Sequence, residues 1–106
     1  MQDTHFEGRH EWIAAVVGAL SRPDTRAVLA AKALDREIVL TVARVEAAQA
    51  SDTGVSTLSH ARLAQLAGLP RSVILRARLA LIELGLEDLA STSGAHQRVR
   101  RELRHR

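Results

Sequence analysis

The stretch from Leu58 to Leu86 is divided by Gly68 and closed by Gly85, and that punctuation limits it to two short helices joined by a tight turn. Ser59 stands where its hydroxyl can accept a free backbone N–H of the first helix's opening turn. Leu63, Ala64, Leu66 and Ala67 form one apolar face, and the two alanines let a second helix approach closely. Gly68 suits a helix end with positive φ, and Pro70 suits the first turn of a new helix, where its missing N–H costs nothing. The spacing predicts that new helix from about Pro70 to Leu84, with Ile74, Ala77, Leu81 and Leu84 inward and Leu86 returning to the core.

An ordinary helical hairpin satisfies the same spacing. The residues after Leu86 distinguish the two. Glu87 to Leu103 reads as a short strand, a Ser/Gly turn near Ser93 and Gly94, and a return strand. In the return strand Val99 and Leu103 share a face that Arg101 interrupts, while Arg98, Arg100 and Arg104 take the other. An arginine-bearing β-hairpin directly after a helix-turn-helix is a wing, and Gly54 to Leu58 supplies a third small strand to pair with it.

On these residues the segment from Asp35 to Leu103 resembles the winged helix-turn-helix of bacterial and phage type. The matching features are Leu63-Ala64, Gly68-Leu69, Ile74 and Leu84-Gly85-Leu86. Upstream, Ser21 to Leu34 is similar to the lead-in helix of phage and plasmid replication-initiator or regulator modules. The resemblance implies a mainly α fold: an N-terminal helical extension over residues 1–34 packs on a winged helix-turn-helix domain over residues 35–106. It also implies sequence-specific binding of double-stranded DNA, in transcription regulation or in plasmid or phage replication or partition.

A recognition helix entering the major groove presents its N-terminal residues to the bases first. Arg71, Ser72 and Arg76 are therefore the candidate base readers, with Ser59, His60 and Arg62 against phosphates. In the wing, Arg98 and Arg100 would follow the backbone or enter a minor groove, with His96 at the tip. Charge agrees in direction. Residues 1–70 hold seven Lys/Arg and eight Asp/Glu, whereas residues 71–106 hold eight Arg and four acids. A solvated basic tail from Arg98 to Arg106 would give the same asymmetry.

The recognition helix departs from the family pattern where Val73, Leu75, Leu79 and Ile82 stand at positions that often carry polar side chains. Leu75, Leu79, Ile82 and Leu86 make a second apolar stripe, which either the N-terminal helices or another copy of the chain must cover. Arg78 occupies a position commonly filled by a core leucine. The stripe motivates a competing function, a winged-helix protein–protein module for assembly or dimerisation, and exposure of Leu75 and Leu79 would favour it.

The N-terminal third predicts a helix from His10 to Leu20, with Trp12, Ile13, Val16, Val17 and Leu20 on a broad apolar arc. From Asp24 to Ala50 the apolar period predicts one long helix, or two meeting near Leu34 to Arg36, and Ser51 to Gly54 reads as a loop. Aromatic residues make up 2% of the chain, so its core must be built from Ala, Val, Leu and Ile. The chain has no cysteine, which excludes disulfides and thiolate metal sites. Without an apolar run of about 18 residues or a leader pattern, the expectation is a soluble cytoplasmic chain with no membrane partner. No Gly-rich phosphate loop, nucleophile elbow or paired metal-ligand histidines stand out, so no enzyme activity, cofactor or metal is expected. The cluster His5, Glu7, His10 and Glu11 reads as a flexible polar terminus, not as a metal site.

Overall fold

A computed structural model describes residues 8–90 and 100–104. Five helices, with one short strand between the third and fourth, make up most of the described residues: α1 (Arg9–Leu20), α2 (Thr25–Ala31), α3 (Arg36–Gln49), β1 (Val55–Ser56), α4 (His60–Ala67) and α5 (Arg71–Glu83). Strands β2 (Glu87–Ala90) and β3 (Arg100–Leu103) come after them. The three strands form one antiparallel sheet in the order β1-β3-β2, with Ser56 and Leu89 opposite Arg101, and Glu87 opposite Leu103. The chain is thus mainly helical with a small antiparallel sheet.

Local chemistry accounts for the helix boundaries. Ser59 caps α4 by accepting the Arg62 N–H at 3.0 Å, and Asp35 caps α3 by accepting the Ile38 N–H at the same distance. Gly68 ends α4 at φ 69° and Gly85 follows α5 at φ 76°, two left-handed positions where a side chain would be strained. Pro70 is the residue before α5, its φ of −61° already close to helical. Of the two readings for Asp24 to Ala50, two helices are found. The break between them is made by Ala33, which adopts φ 51° without the help of a glycine.

The core has two parts. The larger gathers Trp12, Val16 and Leu20 from α1, Leu29 from α2, Val39, Ala43 and Ala47 from α3, Ala80 and Leu81 from α5, Leu86 just before β2, and Leu103 from β3. Small alanines at the α3 and α5 contact let these helices close against each other, as the near-absence of aromatics requires. Trp12 fixes the join between α1 and the sheet, because its Nε1–H donates to the Leu86 carbonyl at 2.8 Å and the Arg104 carbonyl at 3.0 Å. The same Leu86 carbonyl accepts the Arg104 N–H at 2.8 Å. The smaller part joins Val42, Leu63, Ile74 and Ala77, and so sets α4 and α5 against α3.

The second apolar stripe of α5 is covered unevenly. Leu86 is buried and Ile82 half-buried, but Leu75 and Leu79 are 41% and 49% exposed. The N-terminal helices therefore do not cover its centre. The loop expected near Ser93 and Gly94, and Val99, lie outside the described residues. Among the described residues no helix is long and apolar enough to cross a membrane.

Candidate nucleic-acid interface

The Gly68 turn joins the end of α4 to the start of α5, and the openings of these two helices hold most of the candidate residues. Arg62 is exposed on α4, with its Nη1 donating to Gln65 Oε1 at 3.1 Å. Arg71 and Ser72 are exposed on the first turn of α5. Ser59 is also exposed, but its hydroxyl already serves as the α4 cap. On β3, Arg100 is exposed and stands opposite Ala90. His96 and Arg98 lie outside the described residues.

Two candidates are drawn into the fold instead. Arg76 is half-buried, and its Nη1 donates at 3.0 Å to the carbonyl of Lys32 at the end of α2. Its Nε–H also turns back to the Ser72 carbonyl at 3.3 Å, so the guanidinium faces α2. His60 is half-buried, with Nδ1 at 3.1 Å from Arg78 Nη1. Burial, then the positive charges of Arg78, Arg101 and Arg71, hold its pKa below the usual histidine value. A neutral ring whose Nδ1 accepts from Arg78 is not a cation for phosphate; it retains only an Nε2–H donor for a ligand.

Behind these helix openings lies a buried ionic seam that sequence reasoning found only in half. Arg78, 1% exposed, donates from Nη2 to Glu46 Oε2 of α3 at 2.6 Å and from Nη1 to the Leu58 carbonyl at 3.0 Å. Arg101 of β3 donates from Nη1 to Glu87 Oε1 of β2 at 2.9 Å. The two acids also meet each other. Burial first, then the charge and hydrogen bond of Glu46, push the Glu87 carboxyl up to about 8, against the pull of Arg101. Among the described residues Glu46 Oε1 and Glu87 Oε2 have no other hydrogen-bond partner.

The signal for the seam was the misplacement of Arg78 and Arg101 on apolar faces. Its acidic half shows the same sign: Glu46 falls on the α3 face of Val39, Val42 and Ala43, and Glu87 on the inward face of β2. The basic excess after residue 70 is accordingly smaller at the surface than in the sequence. Arg78 and Arg101 are buried against Glu46 and Glu87, and Arg104 is flanked by Asp88 at 3.0 Å and by Glu102.

Among the described residues no group of three or more His, Cys, Asp or Glu is placed to hold a metal ion; His5 and Glu7 lie outside them. Of the candidate residues, Arg62, Arg71, Ser72 and Arg100 thus remain at the surface with their guanidinium or hydroxyl side chains exposed. No protein-family model, curated protein or solved structure matches the chain.

Proposed function

We propose that this chain is a winged helix-turn-helix that binds double-stranded DNA sequence-specifically, with the N-terminal end of α5 leading into the major groove. The observation that carries the reading is the order of elements. Strand β1 precedes α4 and α5, a left-handed glycine separates those helices, and β3 returns between β1 and β2 to set a hairpin beside α5. Arg71 is suited to a bidentate contact with guanine and Ser72 to a base or phosphate, while Arg62 and Arg100 supply backbone contacts. Such binding fits a role in transcription regulation, or in plasmid or phage replication or partition, inside the cytoplasm and without a catalytic step or cofactor.

Fluorescence anisotropy with a pool of labelled duplexes, followed by selection from a random library, tests the reading. Affinity is expected to fall steeply between about 50 and about 200 mM salt. Arg71→Ala should weaken the selected site and reduce the salt slope by about one. Salt-insensitive binding with no recovered motif would remove DNA as the ligand.

A second reading has its own observation. Leu75 and Leu79 are exposed at the middle of α5, which favours assembly through a protein contact. Failure of duplex binding while self-association persists would select this reading over the first.

A further inference from the structure

Leu75 and Leu79 lie one turn apart on α5, and α2 reaches that helix alongside them, through Arg76 and through Lys32, whose Nζ meets Glu83 Oε1 at 2.8 Å. On the same helical arc stand Arg71 and Ser72 toward the N-terminus, and Ile82 and Glu83 toward the C-terminus. Five of these six residues are exposed and Ile82 is half-buried. The arc is symmetric about Ala77 in a particular sense. Leu75 mirrors Leu79, Ser72 mirrors Ile82, and the cation Arg71 mirrors the anion Glu83.

A helix face with this arrangement is complementary to itself once reversed. We propose that α5 is a contact between two copies of this chain, packed antiparallel about a two-fold axis level with Ala77. Leu75 then packs on the partner's Leu79, and Arg71 meets the partner's Glu83 beside the partner's Lys32, which already pairs with it, each contact occurring twice by symmetry. Antiparallel packing also sets opposite ends of the helix dipoles together. A parallel pairing would instead place Arg71 against Arg71 and Glu83 against Glu83. The charge pattern therefore selects both the partner and its direction.

Such a pair gives the assembly reading its partner, and it stands without DNA binding. Three apolar side chains per copy make less than the roughly 800 Å² per side of a standard interface, so the dimer is concentration-dependent, in the micromolar range. Arg71 and Ser72 also belong to the proposed duplex face. One α5 cannot lie in a groove and against a partner at once, so duplex and self-association oppose each other.

Sedimentation of the full chain without DNA, from about 5 to about 500 µM, is expected to move from monomer to dimer mass. L75Q/L79Q should remain monomeric with wild-type circular dichroism and melting, because both leucines are at the surface. R71E alone and E83R alone should each dimerise about tenfold more weakly, since each sets like charges together at both ends. An equimolar mixture of R71E and E83R restores both ion pairs and should recover the wild-type midpoint. A wild-type chain that stays monomeric throughout, or a mixture no tighter than its components, would overturn the proposal. Duplex binding measured on the same samples reports independently on the DNA reading.

Discussion

The two halves of the interior are held by different physics. Under α1, aliphatic side chains and alanines close around Trp12, whose one polar atom is satisfied twice by backbone carbonyls. Under α4 and the sheet, Glu46, Arg78, Glu87 and Arg101 occupy positions that a helical repeat or a strand alternation assigns to apolar residues. The apolar half gains from every group it removes from water, contact by contact. The ionic half gains little net energy over an apolar replacement but is intolerant of any missing member. Stability and positional definition are thus supplied by separate parts of one small interior.

A double-mutant cycle across the seam is the strongest way to break this comparison. Arg78→Ala or Glu46→Ala alone should cost about 3–5 kcal/mol in urea denaturation, because each strands a buried charge. Arg78→Met combined with Glu46→Leu should return to within about 1–2 kcal/mol of wild type. Additive losses would show that the seam contributes in the same way as the apolar half. On that other side, Trp12→Phe should cost about 1–3 kcal/mol, with no second substitution able to recover it.

Proton linkage gives an intermediate effect. Glu87 has its folded pKa raised from 4.5 to about 8, so between those values the folded chain binds more protons than the unfolded one. Its contribution is fully present below the unfolded pKa and is lost as pH rises through about 8. Thermal melts should therefore fall by several degrees between about pH 5 and about pH 8.5, and Glu87→Gln should flatten that slope. A slope unchanged in the variant would place the linked proton elsewhere.

The smallest effect sharpens the comparison. The Ser56 hydroxyl is buried beside the seam with no hydrogen-bond partner among the described residues, so Ser56→Ala should be neutral or stabilising by up to about 1 kcal/mol. A loss of stability would mean that the hydroxyl is part of the network.

Legibility in the sequence tracks the range of each interaction. Ser59, Gly68, Pro70 and Gly85 act on their own neighbours, so α4, its turn and α5 could be read directly, as could the small strands around the sheet. Arg78 and Arg101 could be recognised as misplaced, but not their partners, since Arg78 meets Glu46 from 32 residues away. Ala33 carries no local signal for its left-handed backbone, and so the sequence alone leaves the break between α2 and α3 as one of two alternatives. The exposed candidates Arg62, Arg71, Ser72 and Arg100 needed only their element's geometry to be found. His60 and Arg76 differ because their fates depend on Arg78 and on the end of α2, which meet them through tertiary packing.

Trp12 grips the strand pair at the Leu86 and Arg104 carbonyls, at the opposite end of β2 and β3 from Ala90 and Arg100. Strand register is consequently anchored at the open end, and the connection can change length without shifting which residues of β3 face inward. The same grip makes the chain's single tryptophan a built-in optical probe. Its emission should report, without any label, when the base of the hairpin detaches from α1.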